Sequence, residues 1–326
     1  MIKVKQTIPG IVLCLAIASI AWILGQYIRV VGGAIFAVFI GMAVRYFWKP
    51  PSVFGSGIKF TSKKVLQYAI ILLGFEMNII KVMETGRDSL IVIAFALAAA
   101  FITAFLFGKL IKIEANSKTL IGVGTAICGG SAIAATAPII GANDREITQS
   151  ISTIVLFNVI AVFLFPALGH ILGMNDNSFG MWAGTAVNDT SSVVAAASSW
   201  SDEALKLATI VKLTRTLMIV PVTLIMALIT TIKKGTGDKV RLSKIFPFFV
   251  LGFLLATLIA TSGVIPADVA SVLVRIGKFM IVAAMSAIGL STDIVSLIKN
   301  GKKPIFLGFA CWAATALTAI FTIVLL

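Results

Sequence analysis

Apolar residues in this chain come in long runs separated by short polar or basic patches. A helix needs about 20 apolar residues to span a bilayer core. That length predicts segments at 8–28, 32–48, 65–83, 89–111, 118–141, 149–173, 179–199, 203–232, 245–262, 271–297 and 303–326. The predicted fold class is therefore an all-α polytopic membrane protein of about eleven transmembrane segments, read as a single domain over 1–326. Met1–Lys5 followed by Ile8–Ala21 has the outline of a signal peptide, but the apolar run continues through Leu24, so an uncleaved first helix is expected.

Two of the segments are interrupted by small residues. Gly124 to Pro138 is made almost wholly of Gly, Ala, Ser, Thr and one Pro, and Gly184 to Val193 partly echoes it. Gly weakens a helix, and small polar residues start one well, so each stretch reads as a helix broken part-way across the membrane. Paired breaks of this kind mark the midplane binding site of secondary transporters. Close helix packing through small residues is the plainer alternative.

Composition sharpens the class. Only 12% of the residues are charged and 59% are hydrophobic, with a mean hydropathy of +1.06. The net charge of +14 sits between the apolar runs, where cytoplasmic loops carry Lys and Arg, which argues against nucleic-acid binding. Clusters at Lys3/Lys5, Arg45–Lys64, Lys109–Lys118, Lys233–Lys244 and Lys299–Lys303 fall on one side if the N-terminus is cytoplasmic and the C-terminus outside. The loop at 173–179, without a Lys, is then a neutral inside loop. Cys14, Cys128 and Cys311 lie far apart in apolar runs, so neither a disulfide framework nor a metal site is expected.

An internal repeat is visible at an offset of 215: Leu73–Ile80 with Gly86-Arg87 matches Ile288–Val295 with Gly301-Lys302. Under the eleven-segment count the copies lie upside down, an inverted repeat. The expected halves are 30–173, holding the break in 118–141, and 179–326, holding the break in 179–199. The two breaks themselves would then run parallel, unless one of them is re-entrant, and the sequence does not decide between these.

The candidate chemistry follows from the breaks. Half-helix N-termini with Gly129, Gly130 and Ser131 suit an anion, whereas unwound carbonyls with Thr125, Ser131 and Thr136 suit a cation. Asp189 is the carboxylate inside a break, a carrier of a coupling H⁺ or Na⁺ beside Asn188, Thr190 and Ser191, or else a helix cap. Lys212 and Arg215 share a helix face at a depth of about 13–18 Å. They would counter an anion's charge with Asp189 as a partner, or else snorkel to the headgroups. Snorkelling is expected for Arg275 and Lys278, and interfacial or capping roles for Glu76 and Asp293. The only histidine, His170, raises a serine-protease reading with Ser131, but it is expected on a different helix, near the inner surface.

These residues carry a resemblance. Gly124–Pro138, Trp182–Thr190, Val211–Arg215 and Pro221 resemble the YeiH-type (UPF0324) family, whose members are assigned to sulfate export. Leu73–Lys81 and the first break followed by Pro166 are more distantly similar to the bile acid:sodium symporter superfamily. The resemblance implies two inverted repeats, a core domain with crossing broken helices and a scaffold domain that allows elevator motion. The family often carries His where this chain has Asn188, which weakens a proton role there.

The expectation is a secondary transporter of a small anion such as sulfate, not an enzyme, in a bacterial inner membrane. Substrate would meet Thr125, Cys128, Gly129, Gly130, Ser131, Thr185, Asn188, Thr190, Ser191, Lys212 and Arg215. Coupling would use Asp189, Asn188 and Thr136, with no cofactor beyond Na⁺ or H⁺. Sodium-coupled organic anion uptake and a passive anion channel are the alternatives. The partners expected are the substrate, the bilayer and, optionally, a second copy of the chain.

Overall fold

The computed structural model describes residues 4–27, 32–234, 248–292 and 301–325. All regular structure among them is helical, as an all-α polytopic membrane protein requires. The helices are α1 Val4–Tyr27, α2 Gly32–Phe47, α3 Ser52–Phe60, α4 Leu66–Leu73, α5 Ile79–Leu110, α6 Ala115–Ala126, α7 Gly130–Ile140 and α8 Asp144–Ile171. After them come α9 Asp176–Ala186, α10 Thr190–Trp200, α11 Asp202–Leu217, α12 Ile219–Lys234, α13 Phe248–Thr261, α14 Ala267–Ser291 and α15 Lys302–Leu325. A π turn at Thr61–Val65 joins α3 to α4 without a break in the rod. Six of the described stretches are each long and apolar enough to cross a membrane.

Hairpin closure is the main feature that the segment count could not supply. The start of α6 touches the start of α8: Asn116 Nδ2 donates to Glu146 Oε2 at 3.1 Å. Had α6 and α7 continued in one direction, those positions would be about 35 Å apart at 1.5 Å per residue. Instead α7 folds back along α6, with Leu120, Ile133 and Ala137 in one apolar cluster with Ile154 of α8. A side chain on Gly124 would press within 2.9 Å of Ile133. The second break behaves the same way. Trp200, at the end of α10, donates from Nε1 to Asp176 Oδ1 at 2.9 Å and stacks on Phe179, 4.1 Å between ring centres. Both broken segments are re-entrant helical hairpins.

Between the hairpins runs α8, parallel to α15: Thr153 sits against Gly308, and Phe157 against Trp312. Lys303 Nζ meets the Lys112 carbonyl at 3.4 Å, so α15 begins where α5 ends and where the first hairpin is rooted. Since α8 crosses between them, the second hairpin enters from the opposite end. The two are thus inverted with respect to each other. The loop at 173–179, expected as a neutral inside loop, lies at the end opposite Lys112 and Lys303, which accounts for its lack of Lys. His170 goes with it, stacked on Trp200 at 4.2 Å between ring centres. Counting each hairpin as a loop, nine units run from one end of the described bundle to the other.

Helices α1–α4, α13 and α14 pack chiefly among themselves, and α5–α12 with α15 form a second group, with α10 touching α2 and α14. In lipid, helices associate by close packing and not by burial from water, so small residues set the approach. A side chain at Gly289 would come within 2.3 Å of the Val38 carbonyl, and one at Gly41 within 2.5 Å of the Ser286 carbonyl. The repeat partner Asp293, with Lys239, Arg241, Lys244 and Lys299, lies outside the described residues.

Candidate functional site

The first hairpin turns at Ile127–Gly129. Gly129 has φ +67° and ψ −127°, a conformation that only glycine adopts readily. The second turns at Val187–Asp189, where Asp189 in extended conformation caps α10 by accepting from the Ser191 N–H at 3.1 Å and from the Ser191 hydroxyl. The two turns touch. A side-chain carbon built on Gly129 would lie 3.6 Å from Asp189 Cβ and 3.7 Å from Asn158 Nδ2 of α8. The breaks that the sequence singled out therefore meet, from opposite ends, at one point.

Each break has two electrical poles: a helix C-terminus with spare carbonyls and a helix N-terminus with spare N–H groups. The carbonyl poles of α6 and α9 converge on α11, and Lys212 and Arg215 reach them. Lys212 Nζ donates to the carbonyls of Ile127 at 2.8 Å, Val187 at 3.0 Å and Asn188 at 2.5 Å. Arg215 Nε donates to Ala126 at 2.7 Å and Nη1 to Val187 at 3.3 Å, with further bonds from Nη1 to the Thr185 carbonyl and from Nη2 to the Thr125 carbonyl. Both side chains are 0% exposed, so neither snorkels. Among the described residues no carboxylate forms an ion pair with either, and the partners are six backbone carbonyls, not Asp189. An ammonium has three hydrogens, so Lys212 has no donor left for a substrate.

Position on α11 explains this geometry. That helix runs parallel to α9 at close range, since a side chain on Gly184 would meet the Ala208 carbonyl at 2.8 Å. Three residues apart, Lys212 and Arg215 project from one face toward the hairpin turns. Pro221 removes a backbone donor just after Arg215, and the helix is interrupted at Met218, between α11 and α12.

The N–H poles are different. Gly129 offers no side-chain cap to α7, whose first turn begins with Gly130 and exposed Ser131. A side chain on Gly130 would meet nothing within 4 Å. Around the turns lie buried polar atoms with no partner: Thr125 Oγ1, Thr185 Oγ1, both Asn188 side-chain polar atoms and Asn158 Oδ1, with Thr136 Oγ1 further along α7. Cys128 is buried in the first turn as a free thiol, and Thr190 opens α10 half-buried. Asn158 was missed by the sequence reading, and its signal was a lone amide within the apolar run Ile154–Phe165.

Away from the turns, two adjoining clefts of 240 and 620 Å³ share Trp22 and Lys278. There Lys278, expected to snorkel, pairs with Asp202 at 2.8 Å and Glu76 at 3.8 Å, and Lys206 pairs with Glu76 at 3.2 Å. Arg275 lines the larger cleft. Neither cleft is lined by a hairpin-turn residue.

The family described as conserved hypothetical protein 698 matches residues 9–308. A UPF0324 membrane protein of Streptococcus agalactiae is 46% identical over 315 residues, covering 94% of each chain. One from Fusobacterium nucleatum is 46% identical over 95% of this chain and 96% of its own. Another from Streptococcus mutans is 46% identical over 97% and 96%. Over nearly its whole length this chain belongs to the UPF0324 family of membrane proteins.

Proposed function

We propose that this protein is a secondary transporter of a small anion, with the substrate held at the N–H poles of the two hairpins. The feature that carries the reading is an excess of basic over acidic side chains, counted at their formal charges, where the hairpins meet. Lys212 and Arg215 contribute +2 and Asp189 contributes −1, which leaves +1. The two helix C-termini and two N-termini, about half a charge each, cancel. Uncompensated charge in a low-dielectric interior is costly, and an anion at Gly130–Ser131 and Thr190 would neutralise it.

In this reading Lys212 and Arg215 act through the field and through the shape of the turns, and do not touch the solute. The contacts fall to the Gly130 N–H, the Ser131 and Thr190 hydroxyls and the Asn188 and Asn158 amide Nδ2 groups, the last of which faces Gly129. Asp189 carries the coupling proton: protonated, it raises the positive surplus and favours the anion. The hairpin-bearing helices, α5–α12 with α15, would move against the rest to alternate access. A bacterial plasma membrane, with the basic end cytoplasmic, is the location that fits the charge distribution.

Proteoliposomes loaded with sulfate, a sulfonate or a carboxylate test the reading. Exchange of one of these for its labelled form, abolished by Gly130→Leu, is the expected result. Flux of every anion equal to that of protein-free vesicles would overturn it, and flux indifferent to an imposed pH gradient would favour a passive channel.

A further inference from the structure

Carbonyl oxygens at the C-terminal ends of half-helices are the ligands with which transporters built on broken helices coordinate a free cation. In this chain those ends converge, and three of their oxygens lie 2.8, 3.0 and 2.5 Å from a single nitrogen, Lys212 Nζ. The nitrogen is wholly buried and has no carboxylate partner among the described residues. Its environment is that of a coordinated monovalent cation, not of an ion pair. Arg215 ties the preceding carbonyls of the same two helix ends, so the cage is held from behind.

The geometry points to Lys212 as a tethered replacement for a coupling cation. Its ammonium occupies the carbonyl cage that a free Na⁺ or small ammonium ion would otherwise enter, and it never dissociates. The turns are thereby locked in the cation-bound form at all times. Resting on the transport reading for its consequence, this assigns the chain a sodium-independent cycle and excludes the sodium-coupled uptake that its distant resemblance implied. A monovalent-cation site is latent beneath the side chain and should open when the ammonium is removed.

The test is equilibrium binding, without any flux or substrate anion. Purified native protein, Lys212→Ala and Lys212→Met are melted at equal ionic strength in the chlorides of sodium, potassium, ammonium, methylammonium and N-methylglucamine. The native Tm should be the same in all five. Lys212→Ala should melt lower in N-methylglucamine and recover saturably in sodium, ammonium or methylammonium. Lys212→Met, whose side chain still fills the path, should not recover. A native Tm that rises saturably with sodium overturns the proposal, as does a cooperatively melting Lys212→Ala that ignores every small cation. Should Lys212→Ala give no folded protein, the sodium titration of the native chain decides alone: no response supports the proposal, and saturable stabilisation ends it. Because the anion plays no part, failure here and failure of the transport reading are separate results.

Discussion

Lys212 Nζ lies 2.5 Å from the backbone carbonyl of Asn188, a residue of the opposing hairpin turn 24 positions earlier. The bond makes a side chain of α11 part of the terminus of α9, and through the Ile127 carbonyl part of α6 as well. Two hairpins from opposite ends are in this way fastened to one helix. A buried cation is ordinarily a liability, but here the helix ends supply the negative counter-pole that water or a carboxylate would provide elsewhere.

Removing either cation should therefore cost far more than removing a lysine of the peripheral cluster. Lys212→Met or Arg215→Met leaves several buried carbonyls without donors, and a loss of about 3–5 kcal/mol is expected. Lys278→Met breaks pairs whose side chains are 24% to 65% exposed, where screening keeps the loss below about 1 kcal/mol. Thermal melts of the three purified variants decide it, and similar losses for Lys278 and Lys212 would refute the capping role.

Gly129 and Gly130 are adjacent but should respond oppositely. At Gly129 the positive φ makes any side chain strained, and Gly129→Ala should destabilise by about 1–3 kcal/mol. At Gly130 a methyl group meets open space, so Gly130→Ala should leave the Tm almost unchanged while weakening anion binding at the α7 terminus. Melts with and without sulfate separate the two effects. An unstable Gly130→Ala would show that the space is not free.

The fold-back of the hairpins is directly measurable by labelling. In a background lacking Cys14, Cys128 and Cys311, cysteines at Lys112 and Ala142 should react with an impermeant thiol reagent from the same side. Cysteines at Gly173 and Ser201 should react from the other. Traversing segments would instead put Ala142 on the side of Ser201 and Gly173 on the side of Lys112, and that pattern would exclude the hairpins.

The breaks were legible because they are local: Gly129-Gly130 and Asn188-Asp189 interrupt helices wherever the chain goes next, whereas Pro138 lies inside α7. That the chain turns back was not legible, because the contacts that close the hairpins link distant positions, Asn116 to Glu146 and Asp176 to Trp200. The Lys-free loop at 173–179 was the trace of it, an exception under a traversing count and regular once the second hairpin is rooted at that end. The shared face of Lys212 and Arg215 followed from their spacing. Their partners did not, since a backbone carbonyl carries no residue type that a sequence could reveal.

Asp189 separates a structural role from a chemical one. Asn caps a helix as well as Asp does, so Asp189→Asn should keep the bond from Ser191 N–H and change stability by less than about 1 kcal/mol. Asp189→Ala loses the cap and should cost about 1 kcal/mol. The charge effect is independent of the cap. With Asp189 neutral the formal surplus rises from +1 to +2, so under the proposed function an anion should be held more tightly. In the native chain the same state is reached by protonation, so anion affinity should increase as pH falls. In Asp189→Asn it should be high at every pH, while proton-driven accumulation is lost and anion exchange persists. The measurement is the sulfate-induced rise in Tm of both proteins from pH 5 to 8, beside uptake under an imposed pH gradient. If sulfate binds Asp189→Asn more weakly than the native chain, or if the variant keeps the native pH profile, Asp189 is a cap and nothing more.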